Sequence, residues 1–452
     1  MANTSIRRTN SGNGNRKKWT VSWWEKKNKL GAVQRIFSCD EAGNNNHDDF
    51  FQWQTDDKLV IGFYDSGYYL NLTPDRNFRD TNGWYHFVFT WDTAQATASD
   101  RAKFYINGVR ETVFATETYP SQNQDSFINT TEPIEIGKRS DNDTQYLEST
   151  LSHIHFCDGY AYTPSDFGST DSTTGEWKIN TSPSVSYGTN GFFILKDGNS
   201  LTDESPNSNN WSSVSGTLTN TEDCPDNVFC TLNPLDCDLV SGLSNGNNTF
   251  SGFNTGTDYS ATSSTLSASS GKFYWEAKVT DLAEIDQVGV RLQNGVSMSI
   301  QGSNGSAGLQ GTAYGGKSVQ FSNGNKAGDG AQSAYMGGFS ANDIIMVALD
   351  LDNNKITFGR NGQWSDGSGN ANQTYANSTA AFTNLTAGEF YCPAQTSRSY
   401  GSNSGTTQYN FGNGYFGTTA LSSEGTNASN IGKFEYDIPS GFTALSTKGL
   451  NE

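Results

Sequence analysis

The sequence predicts an all-β protein built from two β units in tandem, and three observations carry that expectation. There are 48 Gly, 27 Phe, 20 Tyr and 10 Trp in 452 residues, a composition suited to many turns joining strands that bury rings. Runs alternating bulky with small or polar residues recur along the chain, while helical periodicity is nearly absent. Turn dipeptides such as Asn107-Gly108 sit between such runs.

In chain order, Trp19–Glu25 alternates as a half-buried strand, as do Leu59–Tyr64, Trp84–Trp91, Lys103–Ile106 and Ile134–Ile136. Asn107-Gly108, between Phe104–Ile106 and Val109–Val113, marks a two-residue hairpin. Around Leu151–Phe156 the alternation sets Leu151, His153 and His155 on one face and Ser152, Ile154 and Phe156 on the other. Thr163-Pro164 opens one short helical turn. Residues 181–240 read as a Ser/Asn/Asp/Pro-rich connector, in which Phe192–Leu195 packs as a strand on the first unit and Asp203–Ser213 is loop. From about 241 a second β unit follows: Gly271–Val279, then Asp343–Asp352, then Lys355–Phe358 leading into the turn Arg360-Asn361-Gly362. The Gly/Ser/Asn-dense stretch 302–338 reads as a surface excursion.

Composition also excludes classes. Only 17% of residues are charged, against charge-driven disorder, and a net charge of −18 argues against nucleic-acid binding. No stretch approaches 18 consecutive apolar residues, so a membrane-spanning helix and membrane insertion are not expected. Met1–Lys18 lacks the apolar core of a secretory signal. The six cysteines fit no common zinc spacing and read as free thiols of a reducing compartment, with one bridge between Cys224 and Cys237 left open.

The run Trp19–Trp24, Gly83–Val88, Lys103–Gly108 and Ile136-Gly137 resembles the laminin-G/concanavalin-like lectin sandwich. With Thr118–Asn123 and Tyr187–Phe192, it resembles the form carried by virion proteins of marine tailed bacteriophages. Such sandwiches open with an apolar strand, which Met1–Lys18 does not offer, so the first strand is expected to be missing or supplied differently, with Met1–Lys18 ordered against another subunit or virion protein and, as the alternative, folded back on its own domain. The later order, Tyr274-Trp275-Glu276, Asp343–Lys355, Phe358–Gly362, Glu389–Pro393 and Tyr409–Gly412, resembles the SPRY sandwich. The resemblances imply a basic arm at 1–18, a concanavalin-like sandwich at 19–180, a connector at 181–240 and a SPRY-like sandwich at 241–452.

Site chemistry points to binding. Glycosidases need two carboxylates facing across the sugar, and the nearest pattern, Glu284–Val288, lacks its third acid, so no catalytic residue is assigned. No histidine triad or metal set emerges and no cofactor is expected, although calcium would suit Asp48 and Asp49 beside Asn44–His47. Sugars stack on exposed rings while amides and carboxylates bond their hydroxyls, which makes Trp53, Tyr64, Asp65, Tyr68, Tyr69 and Asn71 ligand candidates. By resemblance to SPRY loops, Tyr335, Trp364 and Asp366 are added. Residues 1–29 hold eight basic side chains and one acid, so Arg7, Arg8, Arg16, Lys17 and Lys18 read as docking groups for an acidic neighbour or another copy.

The reading is a non-enzymatic phage structural or adhesion protein, assembled in the host cytoplasm and located in the virion. Its loops face a host-surface polysaccharide or other virion proteins. A homo-oligomer is expected, with a trimer first by resemblance. The alternatives are a secreted or surface bacterial carbohydrate-binding protein and a purely architectural virion protein.

Overall fold

A computed structural model describes residues 3–40, 47–237, 242–252, 260–283, 285–294, 309, 311–398 and 405–451. Among the described residues the regular structure is almost all strand, and the chain divides into two compact units, Met1–Thr219 and Asn220–Glu452. The stretch read as a connector is therefore shared between them.

The first unit runs β1 (Ser5–Arg8), β2 (Lys18–Lys27), β3 (Gln34–Asp40), β4 (His47–Trp53), β5 (Leu59–Asp65) and β6 (Tyr68–Pro74). Then come β7 (Tyr85–Asp92), β8 (Ala102–Ile106), β9 (Val109–Arg110), β10 (Phe114–Thr118), β11 (Ile134–Ile136) and β12 (Ser149–Asp158). It closes with β13 (Gly168–Thr170), β14 (Trp177–Ile179), β15 (Phe192–Ile194) and β16 (Ser212–Ser215). One sheet has the order β10-β6-β5-β4-β3-β11-β1-β16, the other β15-β12-β2-β7-β8-β9. Trp19, Trp23, Phe37, Phe51, Phe63, Phe87 and Phe89 interlock between them. The hairpin at Asn107-Gly108 forms with φ of +47° and +82°, the positive pair that matches the strands' twist.

Three expectations are corrected. The first strand is present, and the arm folds onto its own unit: β1 lies between β11 and β16, pairing Ile6 with Ile136 and Ser213. A single apolar residue suffices because backbone pairing on both sides fixes the strand and Ile6 reaches the core. Second, the alternation in β12 breaks at His153, where φ is +48° and the register shifts, as in a β-bulge. Leu151 therefore packs on the core side, while His155 lies on the other face, its ring 3.9 Å from that of Phe193 and its Nδ1 2.9 Å from the Tyr187 hydroxyl. Third, Ser212–Ser213, read as loop, begins edge strand β16. Phe192–Ile194 does pair with β12, and Pro164–Asp166 forms the single turn.

In the second unit, Lys272–Asp281 pairs with Ile344–Asp350 and Ile344–Asp350 with Lys355–Arg360, all antiparallel. The turn after Lys355–Arg360 repeats the positive-φ device at Asn361 and Gly362. A facing sheet holds Ile285–Leu292 beside Tyr391–Arg398. The stretch 302–338 is more than a surface excursion: Lys317–Gln320, Lys326–Gly328 and Ala331–Ser333 extend that sheet, and Val319 and Phe321 sit in the core. All six cysteines are unbridged.

Candidate functional site

Pairing registers decide which side chains meet on the eight-stranded sheet. The row facing the core reads Leu72, Ile61, Phe51, Phe37, Ile136, Ile6. Because side chains alternate, the next row faces outward: Thr118, Asn71, Gly62, Phe50, Ser38, Glu135, Arg7, Ser212. A second outward row runs Tyr68, Tyr64, Asp48, Asp40.

These rows make a supported aromatic platform. A Cβ at Gly62 would stand 2.5 Å from the Phe50 ring, so that ring lies across β5 where only glycine leaves room. Arg35 covers the ring from 3.8 Å and is clamped by Asp48 through two bonds of 2.9 and 2.7 Å. Tyr68 meets Phe50 edge-on at 6.5 Å and Tyr64 at 5.3 Å, and it remains 48% exposed. Asn71 accepts a bond from the Thr73 hydroxyl, and exposed Asp65 pairs with His47 at 3.1 Å. The exposed Tyr68 ring and the Asn71 amide thus share one face, whereas alternation along β5 sets Asp65 on the side opposite Tyr64, where it pairs with His47.

The other candidates fall elsewhere. Trp53 is fully buried, its Nε1 donating to Glu25 at 2.8 Å. Tyr69 turns to the core side and donates to Asp49. Tyr335 is buried, donating to the Thr379 carbonyl at 2.7 Å, and Trp364 packs between Tyr274 and Tyr375. Asp366 is half-buried and caps its own turn, accepting from the amides of Ser368 and Asn370. These corrections share one cause: large rings at half-buried positions lower the free energy most when they fill the core.

Asp48 and Asp49 have their carboxylates engaged, Asp48 by Arg35 and Asp49 by Tyr69 and the amides of Phe127 and Ile128, at odds with calcium binding there. Asn44–Asn46 and Glu284 lie outside the described residues. Among the described residues no group of three or more potential ligands could hold a metal. The basic residues turn inward on their own unit: Arg7 to Glu135, Arg8 to the Asn190 carbonyl at 3.2 Å, Arg16 to the Ser126 carbonyl at 2.7 Å, Lys18 to Asp92 at 3.5 Å. Lys17 anchors only through its backbone, to Thr93 and Asn15. Sequence reasoning missed Phe50 and Arg35, and the signal was Gly62 within an alternating strand.

Buried acids and imidazoles give each unit its own pH response. Burial pushes Asp48 and Asp49 up to about 7 in the first unit, and Glu276 to about 7 and Asp286 to about 6 in the second. Burial lowers His86 to about 3 and His153 to about 4, and His155 as well; all four histidines lie in the first unit. A carboxyl raised on folding binds protons that the unfolded chain releases, so stability grows as pH falls through the folded pKa. An imidazole lowered on folding has the opposite sign, and stability is lost as pH falls below the unfolded value near 6.5. Melting of the second unit should therefore rise steadily from pH 8 to pH 5, by about 2–4 kcal/mol. In the first unit the two signs oppose each other, Glu25 and Glu135 being raised by burial as well, so its stability should change less over the same range than that of the second, and calorimetry checks both curves.

With the geometry established, similarities to known proteins can be set beside it. Residues 2–166 match the Concanavalin A-like lectin/glucanases superfamily. The chain matches no curated protein sequence. Among solved structures, the SPRY domain of human HERC1 is similar at 18% identity and a TM-score of 0.29, over 39% of this chain and 96% of that one. The heptameric SAP-like pentraxin of Limulus polyphemus shows 16% identity and 0.29, over 48% and 90%. The TRIM65 PSpry domain shows 16% and 0.29, over 40% and 89%. The first unit is thus a concanavalin-like β-sandwich, a class associated with carbohydrate binding or adhesion.

Proposed function

We propose that the chain is a non-enzymatic adhesion protein whose first unit holds a glycan on the outer face of its eight-stranded sheet, at Tyr68, Tyr64 and Asn71. The observation that carries this is the exposed Tyr68 ring on a rigid base of Phe50, Arg35 and Asp48. Rings held this way lose little freedom when a sugar stacks on them. Against catalysis, the two acids on this face are already committed, Asp48 to both Nη atoms of Arg35 and Asp40 Oδ2 to the hydroxyls of Ser38 and Ser140. A glycan array tests the reading: wild type should retain a defined set of saccharides and the Tyr68→Ala variant should lose them. An array with no retained saccharide contradicts it.

The motifs at Thr118–Asn123 and Tyr187–Phe192 support placing this protein in a phage virion, as a trimer. Mass spectrometry of purified particles and light scattering of the isolated chain test those two points.

A further inference from the structure

At the far end of the same outward row, Arg7 and Ser212 border an open cleft of about 520 Å³, also lined by Arg8, Ser208, Asn209 and Asn210. On a chain of net charge −18, this lining contains two arginines and no acid. Arg7 is held from behind by Glu135, whose side chain is fully buried and whose Oε1 accepts from Arg7 Nε at 2.6 Å and from Nη2. Its Nη1 makes no bond among the described residues, and the side chain is 39% exposed. Arg8 is anchored through Nη1 to Asn10 and the Asn190 carbonyl, leaving Nε and Nη2 without a bond among the described residues. Asp203, whose charge acts on Arg8, has both oxygens occupied: Oδ1 by the amides of Phe193 and Ser205, Oδ2 by the Ser205 hydroxyl and the Asn209 amide.

Two guanidiniums fixed from behind, with free N–H edges, fit the oxygens of an oxyanion without reorganising. The surrounding hydroxyls and amides fit sugar hydroxyls, and Val214 is the single apolar residue in the lining, which gives a peptide's apolar side chains nothing to fill. We propose that this cleft binds the carboxylate or sulfate group of an acidic saccharide. The site is separate from the Tyr68 platform and does not depend on it.

Calorimetric titration of the full chain tests the proposal with three probes: tetragalacturonate, a sulfated galactan tetrasaccharide and neutral galactotetraose. At least one acidic probe should bind, more weakly in 0.5 M than in 0.05 M salt, and which of the two binds identifies carboxylate or sulfate. Ser212 is exposed on the rim opposite Arg7, so Ser212→Glu removes no contact and sets a carboxylate against the guanidinium. Ser212→Glu and Arg8→Gln should each weaken acidic-probe binding at least tenfold, while Tyr68→Ala leaves it unchanged. The Ser212→Glu arm keeps the test decisive if Arg8→Gln fails to fold. Binding of neither acidic probe, equal binding of the neutral one, insensitivity to Ser212→Glu, or tighter binding of an oligoglutamate peptide than of either saccharide would each overturn it.

Discussion

Replacing Glu276 with alanine is expected to cost the second unit about 3–5 kcal/mol. The carboxylate is fully buried and gathers four donors. Oε1 accepts from the Tyr274 hydroxyl and the Tyr436 amide, each at 2.9 Å. Oε2 accepts from the Glu435 amide at 2.9 Å and Asn410 Nδ2 at 3.2 Å. Glu276 therefore ties the strand Lys272–Asp281 to the segment around Glu435, and alanine would strip the Tyr274 hydroxyl and the Glu435 and Tyr436 amides of this acceptor, while Asn410 Nδ2 keeps the Lys433 carbonyl at 2.9 Å. Glutamine keeps one acceptor but turns an N–H pair toward two of those donors, so it should fall between wild type and alanine. Urea unfolding followed by tryptophan fluorescence checks the order; a loss below about 1 kcal/mol for alanine contradicts it.

Deleting residues 3–9 should have a comparable effect on the first unit. The deletion removes β1 from between β11 and β16, takes Ile6 from the core and strips buried Glu135 of Arg7. Glu135 would then lean on Lys138 at 3.5 Å, a poorer pairing for a fully buried carboxylate and itself destabilising. For a unit of this size the first-unit melting temperature should fall by about 10 °C in calorimetry, with the second unit unmoved. An unchanged melting temperature together with a smaller assembled mass would instead make the segment an intermolecular arm.

These two cases show where the sequence was legible. The strands Trp19–Glu25, Trp84–Trp91 and Lys272–Asp281 announce themselves because a local period of two, closed by positive-φ turns, specifies them. Ser5–Arg8 and Ser212–Ser215 do not, because long-range backbone pairing and one ion pair specify them. The phase of the alternation was the harder part. The Phe50–Trp53 run holds three rings, and only the pairing register shows that Phe51 and Trp53 turn inward while Phe50 faces out. At β12 a single bulge at His153 reverses the faces, which no local pattern signals. Tyr64, Tyr68 and Asn71 were within reach as residue types, whereas the base that Arg35 and Asp48 give this face depends on pairing across three strands, and the parity of β5 turns Asp65 away from it.

The decisive measurement concerns the platform. Take a saccharide retained by the wild-type chain and compare its dissociation constant for wild type, Tyr68→Ala and Val113→Ala. Val113 is an exposed apolar residue just before β10 and serves as the control. A sugar stacked on Tyr68 predicts at least a tenfold loss for Tyr68→Ala, about 1.4 kcal/mol, with wild-type melting and no change for Val113→Ala. Equal affinity for wild type and Tyr68→Ala would contradict a glycan site on the outer face of this sheet.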